Sequence, residues 1–248
     1  VEVKNLMKLT TILDEEYTNV KSATINNIQI DTKFLNHLVN AWEEIAKFPR
    51  KNSSTHPKDL SPKIEEKVKD LKYTKDDITA FSFFMEENHK SYYESTLENL
   101  GLYLNALISL DYNKNKKTDE YILSIEKYGR EICFFGYEFN GPNVHLVGDL
   151  GRCAFQKMHR GKATIEGNVG ISLGNEMTRG KIIVKKDALF SFANGMKGGV
   201  IHIQGNANGL IGEYMSGGII HVNGDKFYGV HITFYNGKIY WKEKKIKQ

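Results

Sequence analysis

The amino-acid sequence predicts an α+β protein in two domains, a helical domain over residues 1–120 followed over 121–248 by a parallel β-helix with a C-terminal capping hairpin. Three observations predict it. Glycine is confined to one half: of the 22 glycines only Gly101 precedes position 121. Apolar residues in the first half recur at three- and four-residue spacing, the period of a helix with one buried face. In the second half methionine and glycine return every 19 residues.

Composition bounds the function classes. With 40% hydrophobic and 26% charged residues, a 248-residue chain has the apolar content for a real core and does not resemble a disordered one. No apolar run reaches the roughly 18 residues of a membrane span, so no membrane partner is expected. The stretch Val1–Asn5 lacks the basic-then-apolar pattern of a secretory signal, and Cys133 and Cys153 fit reduced core thiols. A cytoplasmic location is therefore expected. Before position 121 there are 17 basic and 20 acidic residues, and after it 17 and 10, so net charges of −3 and +7 favour contact between the halves. The basic residues of the second half are scattered, with five in the tail Lys238–Lys247, which reads as a solvated tail; no nucleic-acid partner is expected.

Helical punctuation runs through the first half. Leu35, Leu38, Trp42 and Ile45 mark a helix from Thr32 to Phe48 that Pro49 stops. Residues Pro49–Pro62, with three of the four prolines, read as a loop, after which Ser61-Pro62 opens a short helix bearing Ile64, Val68 and Leu71. Thr74 and Asp77 form a capping box for a helix carrying Ile78, Phe81, Phe84 and Met85. A last helix, Ser91–Leu110, aligns Tyr93, Leu97, Leu100, Leu104 and Leu107, and the polar run Asp111–Asp119 ends it. The acidic pairs Glu43-Glu44, Glu65-Glu66, Asp76-Asp77 and Glu86-Glu87 read as solvated faces, because helical neighbours point about 100° apart.

In the second half Met158, Met177, Met196 and Met215 share a register with Gly161, Gly180, Gly199 and Gly218. After each glycine come two alternating inward residues: Ala163 and Ile165, Ile182 and Val184, Ile201 and Ile203, Ile220 and Val222. A second turn follows at Gly167-Asn168, Lys186-Asp187, Gly205-Asn206 and Gly224-Asp225, where a left-handed backbone is expected. Phe139, Val144 and Leu146 extend the pattern to a fifth, less regular rung, and Leu123, Ile125 and Gly129 suggest a sixth. Stacking at about 4.8 Å per turn makes five rungs a rod of roughly 20–25 Å. Val230, Ile232 and Phe234, then Asn236-Gly237, then Ile239 and Trp241 read as the capping hairpin, and the helical half is expected to close the other end.

The runs Gly195-Met196-Lys197-Gly198-Gly199-Val200-Ile201-His202-Ile203-Gln204-Gly205 and Gly212-Glu213-Tyr214-Met215-Ser216-Gly217-Gly218-Ile219-Ile220-His221-Val222-Asn223-Gly224 resemble the glycine-repeat (GXGXG) β-helix family, found at the C-terminus of the glutamate synthase large subunit and in one of the subunits of formylmethanofuran dehydrogenase. The resemblance spans about Gly129–Asp225. It implies a right-handed β-helix that packs against other domains or subunits and carries no catalytic groups. The competing left-handed β-helix has 18-residue turns with an aliphatic at every sixth position; Ile165, Ile171, Met177, Ile183 and Leu189 obey that spacing, and Gly195 and Glu213 break it.

His202 and His221 occupy one outward slot on successive rungs, where two imidazoles could begin a zinc site. Earlier rungs put Ile183, Thr164 and His145 in that slot, so a third ligand has to come from elsewhere, and a packed or solvated ladder is the favoured reading. Val200 and Ile219 point outward beside them, where earlier rungs have Lys162 and Lys181, so Val200, His202, Ile219 and His221 are the expected interface. No GxSxG, HExxH, P-loop or dinucleotide fingerprint occurs, and no catalytic residue or cofactor is expected. The sequence thus points to a scaffold or assembly subunit in a homo-oligomer or larger protein complex. The alternative is an enzyme or a metal- or ligand-binding protein with its site between the helical domain and the outer face around His202, His221 and Glu213.

Overall fold

The computed structural model describes residues 31–48, 57–116, 120–228 and 236–247. Helix α1 (Thr32–Ile45) starts where the Asp31 side chain accepts a hydrogen bond from the Lys33 amide, and it buries Leu35, Leu38, Val39, Trp42 and Ile45. Helix α2 (Pro57–Val68) begins four residues before the expected Ser61. Pro57 suits a first turn, whose amides need no helical partner, and its burial completes a stripe with Leu60, Ile64 and Val68; Pro62 lies inside the helix. Helix α3 (Lys75–Asn88) carries the Thr74–Asp77 capping box in full.

The expected Ser91–Leu110 helix is broken. A short 3-10 turn (His89–Ser91) and the single-turn α4 (Glu94–Leu97) precede α5 (Leu100–Asn115), which runs five residues past Leu110. Asp111, expected to begin the polar end of the helix, is buried within it and accepts hydrogen bonds from Tyr121 Oη and Asn115 Nδ2, each at 2.6 Å. Gly101 in α5 is a close-approach residue: a Cβ there would stand 2.2 Å from the Cys133 carbonyl oxygen.

The rest is a parallel β-solenoid of about six turns. Its strands β1 (Glu120–Ser124), β2 (Asn140–Val147), β3 (Arg160–Ile165), β4 (Lys181–Val184), β5 (Val200–Ile203), β6 (Ile219–Val222) and β7 (Lys238–Trp241) pair side by side in chain order. Partners are 23 residues apart between β1 and β2, as in Glu120 with Asn143. From Asn143 with Lys162 to Ile219 with Lys238 they are 19 apart, apart from one irregularity near Asn140. The 18-residue pattern does not describe an interior, since Ile171 and Leu189 are about half exposed.

Methionine and glycine recur together because they touch. Met158, Met177, Met196 and Met215 are fully buried, and the Cε atoms of the first three lie 2.8, 2.7 and 2.6 Å from where a Cβ would stand at Gly180, Gly199 and Gly218. Those glycines also have φ of 91° to 95°, which side chains resist. The second turn departs from expectation. Residues 167–168, 186–187, 205–206 and 224–225 do not have positive φ. Their polar side chains instead form a ladder: Asp149 Oδ1 accepts from the Asn168 amide (2.7 Å), Asn168 Oδ1 from the Asp187 amide (3.1 Å) and Asp187 Oδ1 from the Asn206 amide (2.7 Å).

Both ends are covered. Helix α3 packs against β1 and α5 against β2. Glu86 accepts from Ser124 Oγ (2.8 Å), the Glu126 amide (2.7 Å) and the Lys127 amide (3.2 Å), while Ser82 Oγ accepts from the Ser124 amide (3.0 Å). The expectation of solvated acidic pairs thus fails at Glu86 and Asp77, both buried. One continuous apolar cluster runs from the helices into the solenoid. At the far end β7 pairs with β6 on one edge and antiparallel with β8 (Lys244–Lys247) on the other, so both edges of β7 are taken and a hairpin follows Trp241. The hairpin turn is Lys242-Glu243, with φ of 45° and 63°; Val230, Ile232 and Phe234 lie outside the described residues. Among the described residues no helix is long and apolar enough to cross a membrane.

Candidate functional site

Strand alternation sets the outward face. One row runs His145, Thr164, Ile183, His202, His221, Tyr240 across β2–β7, and the next runs Asn143, Lys162, Lys181, Val200, Ile219, Lys238. The structure therefore brings Val200, His202, Ile219 and His221 together. The His202 and His221 rings lie 5.8 Å apart at 56°, and His221 stacks on Tyr240 at 4.8 Å and 12°. Asn223 Nδ2 donates to His202 Nε2 at 3.1 Å. Burial, then the neighbouring His221, Lys181 and Lys185, hold the His202 imidazole below its ordinary pKa, so it is neutral near pH 7.

The row supplies no third metal ligand: Ile183 precedes the histidines and Tyr240 follows them. Among the described residues no group of three or more His, Cys, Asp or Glu side chains could hold a metal ion. Glu213 accepts from Asn194 Nδ2 and Asp225 from Lys242 Nζ, and neither joins the imidazoles in such a group. His145 has a carboxylate partner, with its Nε2 2.7 Å from Glu166 Oε1.

Val200 and Ile219 are partly buried neighbours, flanked in their row by Lys181 and Lys238. Among the described residues, the principal helix–sheet packing is on β1 and β2, at the other end of the sheet.

The cleft beside the helical part lies elsewhere, between Glu98 and the turns that follow β1 to β4, with a volume of about 560 Å³. Arg130 Nε donates to Asp149 Oδ2 at 2.7 Å on one wall. Arg152 donates through Nη2 to Glu98 Oε1 (2.6 Å) and through Nε to Cys133 Sγ (3.1 Å). Burial alone would lift the Asp149 carboxyl, but hydrogen bonds from Asn168 and Arg130 together hold it below the usual carboxylate range. Cys133 and Cys153 are free thiols; burial and the nearby Cys133 push the Cys153 thiol up against the opposing effect of Arg152. Glu131 also lines the cleft, and its Oε2 is buried without a hydrogen-bond partner.

Leu150 and Val169 form an apolar floor, and Ile171 and Leu189 an apolar rim, 49% and 46% exposed; Phe190 and Leu210 extend the half-exposed apolar surface of these turns. This cleft was missed at the level of sequence. Its one legible signal is the outward slot Arg152, Ile171, Phe190, whose last two members break the polar habit of a solvated turn. No family model matches the chain, and comparison with curated proteins and with solved structures gives no match.

Proposed function

We propose that the chain is a non-catalytic assembly element: a right-handed β-helix of the glycine-repeat kind, with 19-residue rungs, residues 1–120 as a helical domain closing one end and the β7–β8 hairpin the other. Right-handed crossovers are the rule for parallel strands joined within one sheet, which supports the hand. The two free thiols suit a reducing compartment, which supports a cytoplasmic complex.

The observation that carries the reading is the Val200–Ile219 pair. Two apolar side chains sit beside stacked aromatic rings, in a row that is otherwise Lys162, Lys181 and Lys238 on β3, β4 and β7, remote from the main helix–sheet packing among the described residues. A core of that kind inside a polar rim is the anatomy of a protein interface. Lys162, Lys181, Lys185, Lys238 and Lys242 surround it, so a second copy would meet like charge, and the partner is a different protein with an acidic rim.

Size in extract and size when pure test this. In extract of the cells that make it, the chain is expected to elute well above the mass of one copy, and the purified chain at the mass of one copy. Ile219→Asp returns the extract species to single-copy mass with little change in melting temperature. Single-copy elution of the wild-type chain in extract overturns the reading, and self-association of the pure chain assigns the face to a second copy instead.

A further inference from the structure

The cleft beside Glu98 has a charge pattern that selects a ligand. Both of its guanidinium groups are matched: Arg130 faces Asp149, and Arg152 faces Glu98. The third carboxylate, Glu131, is the surplus, and one of its oxygens is buried with no donor. A carboxylate that lines a cleft with no cation set against it gains most from a donor that arrives with charge. The lining also holds an apolar stretch, from the buried Leu150 and Val169 to the half-exposed Ile171 and Leu189. At about 560 Å³ the space is that of a small-molecule site.

We infer that this cleft binds a small amphipathic cation, an amine or guanidinium head on an apolar body, with the head on Glu131 and the body against Leu150, Val169, Ile171 and Leu189. An anion is disfavoured, because each arginine already holds a carboxylate and would have to give it up. A neutral molecule of the same shape gains the apolar contact and forgoes the charged hydrogen bond. The site is independent of the docking face around Ile219.

The probes are 4-phenylbutylamine, 4-phenylbutanol and 4-phenylbutanoate, titrated into the full chain with calorimetry and with methyl NMR. Saturable binding of the amine is expected to move the Ile171 and Leu189 methyl resonances and to leave those of Leu107 in place. The alcohol and the carboxylate bind at least about ten-fold more weakly. Glu131→Gln removes the preference for amine over alcohol, and Leu189→Ser, at a half-exposed position, weakens amine and alcohol alike. Equal affinity for amine and alcohol, preference for the carboxylate, an unchanged preference in Glu131→Gln, or no saturable binding overturns the assignment.

Discussion

The two ends of the solenoid are closed by different means. At the first strand the cover is tertiary: Glu86 and Ser82, about 40 residues away in the chain, take the amides of Ser124, Glu126 and Lys127. At the last strand the cover is local, a two-residue turn that folds β8 back onto β7. A long-range cap concentrates its stabilisation in a few buried groups, whereas a hairpin spreads it over exposed pairs. Damage at the two ends should therefore differ in kind.

The largest effect is expected from Glu86→Ala, which leaves the Ser124 hydroxyl and two amides without their acceptor; a loss of about 3 kcal/mol or more in urea unfolding is expected. A loss under about 1 kcal/mol would show that water replaces the carboxylate and that the tertiary cap is not special. Next comes the interior between the ends. Gly218→Ala combines a φ of 91° with contact on the Met196 Cε and on backbone, and should lose about 2 kcal/mol; Gly237→Ala, opposed mainly by the flexible Met215 side chain, should lose less. Equal losses at both would show that the methionines are as unyielding as backbone.

Ending the chain after Trp241 is the matching experiment at the hairpin. The loss of stability should be only about 1 kcal/mol, while the bared edge of β7 drives concentration-dependent association visible by light scattering. A clear solution at high concentration would mean that the hairpin is not the edge cover.

The smallest expected effect is a pH dependence on the outer face. The folded state holds His202 below its ordinary pKa of 6.5, so as pH falls through that value the unfolded chain takes up the proton first and stability declines; above it the contribution is constant. His202→Asn should flatten that part of a urea-midpoint profile between about pH 5 and 8. An unaltered profile would place the slope on another group. Asp149 works at lower pH: its depressed pKa contributes stability above the ordinary 3.8 that is lost as pH falls below it, and Asp149→Asn should remove that acid limb.

What the sequence discloses follows the range of the interaction. The Thr74–Asp77 capping box is complete within four residues, and the Met158-to-Met215 series repeats an identical contact, so both are legible in one dimension. Glu86 looks like any acidic residue on a helix, because its partners are amides whose position depends on the finished fold. The Lys242-Glu243 turn carries none of the residues that favour positive φ, so nothing in the sequence marks it as a hairpin turn. His202 and His221 were legible as a pair through the repeat, whereas Glu98 joins Glu131 and Arg152 only because the junction of α4 and α5 lies against the turns.

The Asp149, Asn168, Asp187, Asn206 series alternates acid and amide without a break. Each carboxylate is separated from the next by two coils, roughly 10 Å, close to the distance at which salt hides one charge from another. Inserting or deleting a single coil within this stretch would set acid upon acid or amide upon amide. A whole pair would preserve the order. On this edge the solenoid has a natural unit of growth twice the length of its structural repeat, and rods of the same kind should be easier to extend by 38 residues than by 19.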